Sequence, residues 1–148
     1  MKKIILILMT VLMVCSISAK SKWKPYELPS EKDLNARARV LAAKMGYPRD
    51  AFLRVSYNYT ADPKGWIGLT NILTTEIWLN PNYNLWTPAG VDVTLVHEII
   101  HAYTKTDGKL WVSEMERARK VFPEYSGSFS LDIGKEDYSF WTKHNKWG

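Results

Sequence analysis

The sequence predicts a small α+β domain: an N-terminal helix, a three-stranded mixed sheet, a helix carrying an HExxH motif, a C-terminal helix and an irregular tail. Three observations predict it. Apolar residues recur at helical spacing from Leu34 to Met45, side chains alternate from Leu53 to Tyr59, and Val93, Val96, Ile99 and Ile100 surround His97-Glu98 and His101.

Residues 20–29 (KSKWKPYELP) carry two prolines and no period, so they read as an extended lead-in. Ser30 then opens a helix: Ser30-Glu31-Lys32-Asp33 has the form of a capping box, with Asp in place of Glu. Leu34, Ala38, Leu41 and Met45 form its inner face, and Gly46 stops it, with Pro48 just beyond. Leu53, Val55, Tyr57 and Tyr59 alternate with polar residues as a strand does, and the turn ADPKG (61–65) follows. The run WIGLTNILTTEIWLNP (66–81) divides into strands Trp66–Thr70 and Thr75–Leu79, ended by Asn80-Pro81-Asn82. Thr87-Pro88 is an N-cap followed by proline at the first helical position, and the helix runs to about Tyr103. After a turn over Lys105–Gly108, a last helix spans about Leu110–Phe122 and ends at Pro123. The tail 124–148 is irregular, with no repeat or linker anywhere in the chain.

The first 19 residues read as a signal peptide. Lys2 and Lys3 precede the apolar run Ile4–Cys15, and small or polar residues lead to Ala19, the expected cleavage point, with Ser18 as the alternative. The run falls short of the ~20 residues a spanning helix needs, although an uncleaved anchor is the rival reading. Cys15 is the chain's one cysteine, but Val14 stands where lipidation wants a small residue, which favours plain cleavage. The protein is therefore expected to be exported, to periplasm, envelope or medium, with residues 20–148 as one domain. Taking Lys2 and Lys3 from the 20 basic residues leaves 18 against 15 acids, a net +3. So mild a charge argues against a nucleic-acid partner. Seven Trp and eight Tyr supply packing area, or line a substrate groove.

On a helix His97 and His101 share one face, roughly 6 Å apart along the axis at about 1.5 Å per residue. Both can reach one zinc ion at ~2.1 Å. Glu98, turned by about 100°, borders the metal, where it can take a proton from zinc-bound water and pass it to a leaving amine. Three polar groups on a helix so rich in aliphatics need a reason to be there. A third protein ligand is required, and the only other histidine is His144, in the tail.

ARVLAAKMGYPRDAFLRVSYNYTADPKGWIGLTNILTTEIWLNP, followed by VDVTLVHEIIHAYTKTDGKLWVSEMERA, resembles the SprT-like branch of the zincin metallopeptidases over roughly residues 34–122. HEIIHAY is specific for zincins; the rest of the pattern is looser. The resemblance implies a zinc metallopeptidase with one Zn2+, acting on peptide or protein substrates, and the signal peptide makes it an exported one. It also implies that Glu76, Ile77, Trp78 and Leu79 form the edge strand along which an extended substrate lies.

The family's third ligand is a histidine in a pattern like H-G-x-x-W, and this chain has Asp107-Gly108-Lys109-Leu110-Trp111. Asp107 also stands ten residues after His97, the interval between first and third ligands in metzincins, although Thr104 replaces the metzincin glycine. Aspartate is a legitimate zinc ligand, so Asp107 is preferred, with a turn residue as its bland role. Glu114 and His144 are the alternatives. Glu116 is a fourth, which also suits a capping box Ser113-Glu114-Met115-Glu116. Tyr103 and Tyr138 are candidate oxyanion donors with ordinary structural roles as the rival, and Met115 reads as core. Two other functions compete: an exported non-catalytic binding or structural domain on a zincin scaffold, and proteolysis of DNA-bound proteins, which the signal peptide opposes.

Overall fold

The computed structural model describes residues 26–129. The expected signal peptide with Cys15, and Tyr138 and His144 in the tail, lie outside the described residues. The element order is α1 (Glu31–Lys44), β1 (Arg54–Tyr57), β2 (Gly68–Asn71), β3 (Glu76–Leu79), α2 (Pro88–Thr104), α3 (Lys109–Val121) and a short 3-10 turn, Pro123–Tyr125. The fold is α+β with a three-stranded mixed sheet. No helix among the described residues is long and apolar enough to cross a membrane.

Helix α1 begins as its capping residues dictate. Ser30 Oγ accepts the Asp33 N–H at 3.2 Å and donates its own proton to the Asp33 carboxylate at 2.8 Å. It ends where the chain needs a left-handed residue: Gly46 has φ +75°, and the N–H groups of Gly46 and Tyr47 return to the carbonyls of Ala43 and Ala42. Helix α2 begins with Thr87 accepting the Gly90 N–H at 3.0 Å. Lys105, left-handed at φ +54°, closes it by returning its N–H to the His101 carbonyl.

The sheet order is β1-β3-β2: β3 runs parallel to β1 and antiparallel to β2. This corrects the edge-strand expectation. Glu76, Ile77, Trp78 and Leu79 form the central strand, paired along both sides, so none of them borders an open edge. Strand β2 is the edge that packs against α2. Strand limits also shrink. Leu53 and Tyr59 are exposed, leaving Val55 as the buried residue of β1. Strand β2 starts at Gly68, because Asn80 takes the Trp66 carbonyl with its side chain and the Ile67 carbonyl with its N–H. Thr75, at φ +60°, belongs to the turn.

The core gathers Leu34, Ala38 and Leu41 of α1, Ile77 and Leu79 of β3, and Leu95, Ile99 and Ile100 of α2, all nearly sealed from solvent. Met115 is buried among them, as its apolar reading requires. Asp92 on α2 is buried too. It accepts Arg37 Nε–H at 2.8 Å and Nη2–H at 2.5 Å, and the Tyr125 hydroxyl at 2.6 Å, so one carboxylate joins α1, α2 and the 3-10 turn. Burial pushes its pKa up, but those hydrogen bonds and the Arg37 charge outweigh burial and hold it below the ordinary carboxylate value. Helix α3 already runs at Lys109, so Ser113 is four residues inside it and cannot cap it, contrary to the box expected there.

Candidate active site

Helical spacing brings the two histidines together as required. The Nε2 atoms of His97 and His101 lie 3.2 Å apart, with ring centroids at 4.9 Å. Two donors of a tetrahedral zinc ion with bonds of about 2.0–2.1 Å would stand about 3.3–3.4 Å apart. Thr106, in the loop after α2, fixes the second ring: its carbonyl lies 3.2 Å from His101 Nδ1 and can only accept. The proton is thereby assigned to Nδ1, and Nε2 keeps its lone pair. Burial, with the neighbouring imidazole, pushes the His97 pKa down to about 3. Burial also takes His101 down to about 4, against the opposing pull of the Thr106 carbonyl and the Asp107 charge. Both rings are neutral at pH 7, the state in which imidazole binds metal.

Trp111 closes one side of the pair. Its ring stacks on His101 at 5.0 Å and 18° and meets His97 edge-on at 5.0 Å and 70°. Its buried Nε1–H has no hydrogen-bond partner among the described residues. An orphan donor beside two neutral imidazoles costs free energy, and it is the kind of group an anionic ligand at the site would satisfy. Trp111 ends the stretch Asp107–Trp111, and its sequence position alone assigns it no role.

Glu98 sits behind the pair with only 1 % of its surface exposed. Burial raises its pKa to about 8, against a hydrogen bond from Thr70 that lowers it. Thr70 Oγ1 is 2.6 Å from Glu98 Oε2 and 3.0 Å from the Glu98 carbonyl. Gly68 lies two residues earlier on the same strand, where an added Cβ would stand 2.8 Å from Glu98 Oε1 and 2.7 Å from Thr94 Cγ2. Sequence reading missed both residues. The available signal was a glycine inside a strand, which often marks a close approach of another element.

A cleft of about 150 Å³ opens here, lined by Thr70, Ile72, Glu98, His101, Lys105 and Asp107. Asp107 thus reaches the same cleft as His101. Among the described residues, no three His, Cys, Asp or Glu side chains are grouped to hold a metal. Two imidazoles fit a zinc ion, and the third donor is not brought up to them.

The alternatives fare differently. Glu114 accepts the Tyr47 hydroxyl at 2.5 Å and Arg117 Nη2–H at 2.7 Å, so its carboxylate is engaged away from the histidines. Glu116 is exposed on α3. Tyr103 stacks on Tyr47 with centroids 4.0 Å apart, which gives its ring a packing role.

Comparison with known proteins yields no relative. No family model, curated protein or solved structure matches this chain. The SprT-like likeness therefore rests on the residues that carry it.

Proposed function

We propose that this chain is an exported zinc-dependent metallopeptidase that cleaves peptide bonds. One observation carries the reading: two neutral imidazoles with Nε2 atoms 3.2 Å apart, next to a buried carboxyl group that lines the same cleft as His101. His97 and His101 would hold the ion, and Asp107, on the cleft wall, is the candidate to complete the set. Zinc supplies a Lewis acid, which polarises a carbonyl and makes water a better nucleophile near neutral pH.

Glu98 carries the proton. As the water oxygen bonds to the scissile carbonyl carbon, Glu98 accepts the water proton in its carboxylate form, which gains ground as pH rises through about 8. As the C–N bond breaks, it returns that proton to the leaving amine, so the carboxylate is regenerated. Its buried position keeps bulk water from competing, and Thr70 keeps it in place.

The test is digestion of casein or a peptide library by the purified protein, with and without chelator. Chelator-sensitive cleavage is the expected result, and Glu98→Gln should abolish it while retaining zinc. Zinc bound equally by the parent and by Glu98→Gln, with no cleavage by either, would favour the second reading, a non-catalytic binding or structural domain. The ungrouped third donor is the observation behind that reading.

A further inference from the structure

We infer that Gly68 and Thr70 form a two-residue cradle that fixes the rotamer of Glu98, with Thr70 as a positioning residue for its proton transfer. The role in catalysis rests on the peptidase reading; the cradle itself does not.

Alternation along β2 sends residues 68 and 70 to the same face, and both are buried there against α2. The two make complementary contacts. Thr70 donates its hydroxyl proton to Glu98 Oε2 at 2.6 Å, and the same hydroxyl stands 3.0 Å from the Glu98 carbonyl. Its single proton serves one acceptor at a time, and the shorter contact gives it to the tip of the side chain, beside the turn of helix from which that side chain springs. Gly68 makes the room: Oε1 and Cγ of Glu98 occupy the space within 2.8 and 2.9 Å of where a Cβ would stand. Oε1 has no hydrogen-bond partner among the described residues.

The two carboxyl oxygens thus have different duties. Oε2 is held and Oε1 is left to work. When Oε1 gains the proton from the attacking water, Oε2 becomes the carbonyl oxygen of the acid and still accepts from Thr70. The anchor survives both halves of the transfer, so Glu98 does not lose its place between taking the proton and returning it. Preorganisation of this kind matters because a misplacement of about 1 Å can cost on the order of 100-fold in rate.

The experiment compares the zinc-loaded full chain with Thr70→Val, which deletes the hydroxyl at constant shape, and Thr70→Ser, which restores it. Gly68→Ala is the third variant. Zinc content, melting temperature, kcat and KM are measured on one peptide substrate, and crystal structures give the Glu98 rotamer. For Thr70→Val we expect retained zinc, a kcat drop of about 10–100-fold with KM within about twofold, and Glu98 displaced. Thr70→Ser should return most of the rate and the parent rotamer. Equal loss in the Val and Ser variants, or an unmoved Glu98 in Thr70→Val, would overturn the inference. If Thr70→Val does not fold, Gly68→Ala decides. Its added methyl must displace Glu98 and lower kcat, and a Glu98 found in place overturns the cradle. A parent that binds zinc and cuts nothing would sink the peptidase reading alone, because the crystallographic comparison still judges the cradle.

Discussion

Trp111 lies flat against His101, with the rings 18° from parallel and centroids 5.0 Å apart. The contact joins α3 to the motif helix and leaves the indole Nε1–H buried without a partner among the described residues. Packing and polarity therefore pull in opposite directions at one side chain. Trp111→Ala removes the stack and should cost about 3–5 kcal/mol in urea unfolding. Trp111→Phe loses some volume but also deletes the orphan donor, whose burial costs about 1–3 kcal/mol, so it should stay within ~1 kcal/mol of the parent. A Phe variant as unstable as the Ala variant would mean that the N–H has a partner.

Asp107 is the residue on which the proposed zinc set can be tested. Zinc per chain is to be compared between the parent and Asp107→Ala after identical exhaustive dialysis. About one zinc in the parent and almost none in the variant are expected. Equal zinc in both would transfer the third position to His144, because Glu114 is already engaged by Tyr47 and Arg117.

Asp92 predicts an acid limit to stability. Its folded pKa is held below the ordinary value, so its contribution is present above the unfolded pKa and is lost as pH falls through the folded one. Asp92→Asn should cost on the order of 2–3 kcal/mol at pH 7, where it weakens hydrogen bonds made to a charged group. It should cost much less at a pH below the folded pKa, where the parent carboxyl is itself protonated. Urea unfolding of both proteins at the two pH values checks this. A gap that stays constant with pH would remove the carboxylate from the account of acid stability.

Gly46 offers a purely backbone test. An added Cβ would meet nothing within 4 Å, yet φ is +75°. Gly46→Ala should cost about 1 kcal/mol, with zinc content unchanged. A variant as stable as the parent would show that the turn relaxes.

Local features were legible in the sequence, and pairings across the chain were not. Ser30, Gly46, Thr87 and the spacing of His97 and His101 act through neighbours within a few residues, and each appears where its chemistry places it. The central position of β3 was hidden, because its partners are chosen by the whole sheet and no residue from Glu76 to Leu79 encodes which side stays open. Leu53 and Tyr59 misled for a related reason. Alternation announces a strand, but not how much of it the core will cover. The Thr70–Glu98 contact spans 28 positions, and the Arg37–Asp92 pair spans 55, so neither leaves a periodic trace. Ser113-x-x-Glu116 had the letters of a cap, but the helix had already begun.

The space beside Gly68 has a consequence for descent. A lineage that gains a methyl group at position 68 must move Glu98 or Thr94, because the added carbon would stand within 3 Å of both side chains. Residues 68 and 98 are thus free to drift only together. A glycine thirty positions ahead of the motif glutamate, with a hydroxyl residue two places after it, is a signature that distant kin would carry after most other letters had changed.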